Sequence, residues 1–325
     1  AWSVDSAQTT VTYQPTRQIM LAYRDVVDAA SRLRRIGGLS HEVERDVMSA
    51  DLAYRLMVDP DWGDPDQIQE VRAAFDGSTS GPILLASIEQ ALQQDDSPAL
   101  IGLIRLIDVD APADQTSVHL RGTGSSPTPL VAAVMSPDPA VRYEAAVKVA
   151  QLAASSPFPG SSQVRRTLGE MRSLGALPKA ILVETRPEVI VRQQAILGQL
   201  GFDVEVIGSV AQLQRAVANG GDLRMIVSKT DLADLPPIEM LDAIRRIDRG
   251  RDIPIVFYGD EVLGLEPSRW TAPAVMVDQP ASPAAFAGIL DDIESSRRLP
   301  PLSAIDRRLY AEQASDLLAE MGSSR

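Results

Sequence analysis

The chain has 325 residues, of which 45% are apolar, 23% charged and only 4% aromatic, the composition of a globular protein long enough for two or three domains. Its 31 Lys+Arg stand against 44 Asp+Glu, a net charge of −13, which argues against nucleic acid or an anionic membrane surface as a partner. It has no cysteine and only two histidines, His41 and His119, which excludes disulfides and thiol or Cys-ligated metal chemistry and leaves histidine-based triads little to work with.

No apolar run approaches the roughly 20 residues of a membrane span; the best candidate, residues 99–107, contains Arg105. The chain begins at Ala1, compatible with a processed exported form or an excised fragment, so the compartment is left open. Residues 1–14 read as an extended lead-in, and Pro15 suits the first turn of a helix. Ile19, Tyr23, Val26, Ala30 and Leu33 then form a helical stripe that Gly37-Gly38 stops. A second helix is expected at 40–58, with Val43, Val47, Ala50, Tyr54 and Met57 on one face. After a turn at 59–65, a third is expected at 66–75. GSTSG at 77–81 reads as a linker. Helical patterns resume at 83–94 and 97–109, a polar loop covers 111–127, and further helices are expected at 128–135, 139–154 and 161–174.

Near Pro178 the period changes. Apolar runs at 179–184, 202–208, 223–228, 253–259 and 274–278 read as strands. They alternate with helices at 187–200, 209–218, 237–248, 261–270 and 282–298. Five strands alternating with five helices predict a parallel, doubly wound α/β sheet with helices on both faces. A last amphipathic helix is expected at 302–322. The expected organisation is an all-α part at 1–78 and 79–176, an α/β domain at 177–298 and a C-terminal helix at 299–325. None of these is basic.

The segment SPTPLVAAVMSPDPAVRYEAAVKVAQLA (126–153) sets one short helix, a Ser136-Pro137-Asp138-Pro139 turn and a second helix opened by Val141-Arg142 with a stripe of Ala145, Ala146, Val149 and Ala150. Asp138 can cap the second helix and Pro139 fits its first turn. This unit resembles a HEAT repeat, which implies HEAT-like packing and a scaffold or protein-binding surface. Helices at 83–109 and 161–174 are its candidate neighbours.

The order and spacing of 179–298, and above all LRMIVSKTDLADLPPIEMLDAIRR (223–246), resemble a receiver domain of the two-component phosphorelay type. That implies a receiver/flavodoxin-like fold in a bacterial signal-transduction setting. Matched without a gap, the phospho-acceptor position falls on Lys229 and the acidic pair that helps hold Mg²⁺ on Glu184 and Thr185. The hydroxyl position falls on Gly259 and the lysine position on Gln279, followed by Pro280. Asp231, two residues past Lys229, is the alternative acceptor. An ammonium at the acceptor site cannot become an acyl phosphate and repels Mg²⁺. The resemblance is therefore to a pseudo-receiver, with Lys229 expected near Glu184 in place of the metal. No cofactor, no resident metal and no catalytic residue are expected. The favoured reading is a non-catalytic scaffold with an unidentified protein partner, no nucleic acid and no membrane insertion; the competing one is a signalling domain that senses phosphate or a small ligand in the α/β pocket.

Other features have plainer readings. GTGSSPTP at 122–129 lacks the Gly-Lys-Ser/Thr spacing of a phosphate loop. Arg34-Arg35, Arg165-Arg166, Arg245-Arg246 and Arg297-Arg298 are expected on solvated helix faces. Asp95-Asp96 and Asp291-Asp292 do not share a face. Trp62 and Trp270 are expected in a core or an interface.

Overall fold

A computed structural model describes residues 2–5, 10–13, 18–75, 78–121, 126–152, 158–259, 274–277, 282–295 and 299–323. Pro15, the expected helix at 261–270 with Trp270, Gln279, Pro280 and Arg297-Arg298 lie outside them. By compactness the chain divides into two units, residues 1–122 with 128–130, and residues 123–127 with 131–325. The division falls inside the helical region.

The first unit opens with an antiparallel hairpin, β1 (Trp2–Asp5) and β2 (Thr10–Tyr13). The helices α1 (Gln18–Ile36), α2 (His41–Val58), α3 (Pro65–Ala74), α4 (Gly81–Gln93), α5 (Ser97–Arg105) and α6 (Ala113–Arg121) follow. Local chemistry sets their ends. Ser40 caps α2 by accepting from the Val43 N–H. Asp64 and Gln67 form a reciprocal capping box on α3, with Pro65 at its first position, and Asp96 accepts from Ala99 N–H to start α5; each device supplies a partner to an otherwise orphaned donor. The core lies between α2 and α5, where Leu52, Leu56, Leu103 and Ile104 are fully buried. Trp62 joins this core.

Two expectations fail here. The loop expected at 111–127 contains α6, because Leu120 and His119 are buried and pull a segment of weak local propensity into a helix. The stripe expected on α1 mixes two faces: Tyr23 and Ala30 turn inward, but Val26 and Leu33 are exposed.

Helix α7 (Pro129–Ala133) is shorter than expected. The second unit continues with α8 (Pro139–Gln151) and α9 (Ser161–Arg172). The α/β part then runs β3 (Lys179–Val183), α10 (Pro187–Gln199), β4 (Asp203–Ile207), α11 (Val210–Asn219), β5 (Leu223–Lys229), α12 (Pro237–Arg245), β6 (Ile255–Tyr258), β7 (Ala274–Val277) and α13 (Pro283–Ser295); α14 (Ala304–Ser323) closes the chain. All five strands are parallel, in the order β4-β3-β5-β6-β7. This is the 2-1-3-4-5 order of the flavodoxin and receiver type of doubly wound fold. The strands alternate Ile181, Val183, Ile226, Ile255 and Phe257 towards α11 and α12. Ala180, Leu182, Met225, Val227, Val256 and Tyr258 face α10 and α13. Both faces of β3, β5 and β6 are covered, which is why these strands read as largely apolar runs.

At the N-terminal ends of the strands, α8, α9 and α14 are pinned by buried charge. Asp138 caps α8 at Ala140 N–H, 2.9 Å. Arg142, 1% exposed, donates to the Ser136 carbonyl at 2.7 Å and through Nε and Nη2 to Glu170 Oε1 on α9 at 3.1 and 2.7 Å. The same oxygen accepts from the Tyr143 hydroxyl at 3.0 Å and from Gly221 N–H, just before β5, at 2.8 Å. Arg249, ahead of β6, reaches Glu170 Oε2 at 2.7 Å. On α14, Arg307 donates to Asp222 at 2.9 Å and to the Ala176 carbonyl at 3.0 Å, while Tyr310 meets Tyr143 edge to face at 5.5 Å. These contacts run from 142 and 170 across 176 into the sheet.

Nor do the arginine pairs lie wholly on solvated faces. Arg245 turns inward and donates to the Gly250 and Ile253 carbonyls at 2.6 and 2.7 Å. Arg166 donates to the Ala218 carbonyl at the end of α11. Orphan carbonyls at helix ends and turns draw in these cations.

Candidate functional site

In a doubly wound sheet the crevice opens at the C-terminal ends of the strands, where the strand order reverses. Here that point lies between β3 and β5. Glu184 follows β3 directly and Lys229 ends β5, and both are buried. Their positions follow from the register, which pairs Val183 with Ser228 and so brings the next residues of both strands to one rim.

Glu184 is the centre of the site. Its Oε1 accepts from the backbone N–H groups of Thr185 at 2.7 Å and Arg186 at 3.0 Å. The Arg186 guanidinium grips both oxygens, with Nε at 3.1 and 3.2 Å and Nη2 at 2.7 Å from Oε2. The Tyr258 hydroxyl, from the end of β6, donates to Oε2 at 2.8 Å. Burial alone would raise the Glu184 carboxyl, but the hydrogen bonds from Arg186, Tyr258 and Thr185 outweigh it and hold the pKa at about 2. The pairing with Glu184 raises Arg186, and burial raises the Tyr258 phenol.

Lys229 donates to Thr185 Oγ1 at 2.9 Å and lies 3.8 Å from both Glu184 Oε1 and Asp231 Oδ1. Asp231 is more than half exposed. Glu184, Thr185, Lys229 and Asp231 therefore meet at one rim. Gly259, at φ +133°, lies beside them: a Cβ placed there would collide with the buried Thr230 hydroxyl oxygen. Gln279 lies outside the described residues.

This donor set does not suit a divalent cation. Hard cations need free carboxylate oxygens, and both oxygens of Glu184 are committed to donors while an ammonium occupies the adjacent space. The arrangement is a closed network of two cations and two carboxylates.

Arg186 and Tyr258 are absent from the residues matched in the sequence. Each left a signal. Arg186 is the N-cap residue of α10, directly before Pro187, where the helix dipole disfavours a cation that lacks a carboxylate beside it. Tyr258 closes a buried apolar strand, where a phenol needs a hydrogen-bond partner.

No protein-family model matches the sequence, and no curated protein is similar to it at a significant level. Several solved structures align with the chain. The receiver domain of a sensor histidine kinase from Pseudomonas aeruginosa is 21% identical, with 35% of this chain and 95% of that chain covered and a TM-score of 0.32. A response regulator receiver protein from Sinorhizobium medicae is 18% identical, with 38% and 98% covered and a TM-score of 0.33. The response regulator PhyR from Brucella abortus is 17% identical, with 82% and 98% covered and a TM-score of 0.29. The fold assignment rests on the strand order itself. No helix among the described residues is long and apolar enough to cross a membrane.

Proposed function

We propose that the chain is a non-catalytic interaction protein, a scaffold in which HEAT-like helices are joined to a phosphorylation-incompetent pseudo-receiver. One observation carries this reading: the Lys229 ammonium stands at the end of the central strand, 3.8 Å from Glu184 and Asp231. An amine at that point cannot form an acyl phosphate, and its charge stands where phosphoryl transfer would need a divalent cation. Glu184, held by Arg186 and Tyr258, supports one fixed arrangement of the rim rather than one that awaits a ligand. Thr230 against Gly259 supports the same reading, since a hydroxyl side chain at 259 has no room.

In the helical part, support comes from the Asp138 cap, Pro139 in the first turn of α8, and the packing of α8 against α9. Its buried Val141, Ala145, Ala146 and Val149 form a seam suited to stacking repeats. Such a protein acts by binding through surfaces whose geometry the buried networks hold constant.

Incubation of the full chain with acetyl phosphate and Mg²⁺, followed by intact-mass and peptide mass spectrometry, tests the proposal. The mass should stay unchanged. A phosphorylated species, with Asp231 the exposed carboxylate beside Lys229, would favour an active signalling domain instead.

A further inference from the structure

Helix α1 carries two apolar edges. Tyr23, Val27, Ala30 and Arg34 form the sheltered one: the Tyr23 hydroxyl donates to Asp96 at 2.6 Å and the Arg34 guanidinium lies 4.8 Å over the Phe75 ring. The other consists of Ile19, Ala22, Val26, Ala29, Leu33 and Ile36, a 3-4 spacing kept along the whole helix. That is the a/d repeat of a coiled-coil seam. From Ala22 onwards every member is exposed, Leu33 by 51% and Ile36 by 84%. A seam this regular is more than the scattered apolar residues that any surface shows.

We propose that this seam docks antiparallel on α1 of a second copy of the chain. Charge complementarity and side-chain size select that occupant. In an antiparallel pair each a position faces a d position, so Ile19 meets Ile36, Ala22 meets Leu33 and Val26 meets Ala29. The alanines leave room for the larger partners. In the same register Asp25 of one copy flanks Arg32 of the other, and two-fold symmetry makes this pairing twice. A parallel pair would place Asp25 beside Ala30 and Arg32 beside Gly37, leaving both charges unmatched, and would stack alanine on alanine. Among the described residues Asp25 pairs with the neighbouring Arg24 of its own helix, at 3.3 Å and with both side chains exposed, so it can turn. Arg32, Asp28 and Arg35 are exposed as well.

Sedimentation equilibrium of the full chain tests this. A single helix pair is a small interface, so a monomer–dimer equilibrium with a Kd of about 1–100 µM is expected. Leu33→Asp should weaken it more than tenfold while far-UV circular dichroism stays the same, because the residue is exposed. Asp25→Arg alone and Arg32→Asp alone should each weaken the dimer at low salt, and the two combined in one chain should restore it. The native chain has no cysteine, which makes direction readable. A mixture of the single variants Ala22→Cys and Leu33→Cys should oxidise to a covalent heterodimer. Ala22→Cys alone, linking to itself, would show parallel helices and overturn the arrangement. A chain that stays monomeric at several hundred micromolar overturns the proposal. So does a dimer indifferent to Leu33→Asp.

Discussion

Glu184 shows how hydrogen bonds can outweigh burial at a carboxylate. Its carboxylate is depressed to about 2 in the folded chain, below its ordinary value. A depressed carboxylate stabilises the fold above its unfolded pKa, and that contribution is lost as the pH falls through the folded value. The side chain is fully buried, so the linkage is worth about 2–3 kcal/mol at neutral pH. Glu184→Gln should therefore lower urea stability by about that amount at pH 7, and the gap between variant and parent should close between about pH 4.5 and 2. Lys229→Asp alone should bind Mg²⁺ poorly, because Arg186 still grips Glu184. Lys229→Asp together with Arg186→Ala should bind it with a Kd of about 1 mM or somewhat tighter, read by calorimetric titration. Equal affinities in the two variants would show that Arg186 does not govern the site.

Elements meet through small residues and capped ends. On α5, Gly102 lies against Leu52 of α2, and a Cβ at 102 would sit 2.6 Å from the Leu52 Cβ. Alanine would gain about 1 kcal/mol of helix propensity, but that clash involves an atom fixed to the backbone, and overpacking costs about 1–3 kcal/mol. Gly102→Ala should thus lower the thermal midpoint, with the loss outweighing the gain. At the start of α8, Asp138→Ala should cost about 1 kcal/mol in denaturant unfolding, since the Ala140 N–H loses its acceptor. Capping was readable in the sequence because it depends on residues two or three apart. The two faces of α1 were not, because both carry apolar residues at helical spacing and only the neighbours of Tyr23 and Arg34 reveal which one is sheltered.

At the scale of the molecule, Glu170 joins the helices α8 and α9 to the sheet, with Arg142, Tyr143, Gly221 and Arg249 converging on one carboxylate. Buried ion pairs add modestly when intact but cost about 3–5 kcal/mol when one partner is removed. Glu170→Ala would strand two buried guanidinium groups. Hydrogen exchange should then accelerate together in α8, α9 and β5, by on the order of a hundredfold or more for globally exchanging amides. Acceleration confined to α9 would show that the network does not couple the helices to the sheet.

The sequence by itself determined the change of period near Pro178, the five strands, the alternation that places helices on both faces, and the capped turn before α8. Each follows from the spacing of apolar and capping residues within a few positions, where backbone geometry alone sets the answer. The same logic placed Glu184, Thr185 and Lys229 at strand ends, and parallel pairing of β3 with β5 brings such ends together. Only the tertiary structure decided what they touch. Arg186 folds back on Glu184 and Tyr258 arrives from 74 residues away; Arg142 finds Glu170 across 28 residues and Gly221 across 79. Helix α6 forms because Leu120 and His119 are buried by others, and Arg245 turns inward to meet carbonyls of the loop before β6. Spacing encodes which face a residue takes. Which charge satisfies another depends on distances that packing alone creates.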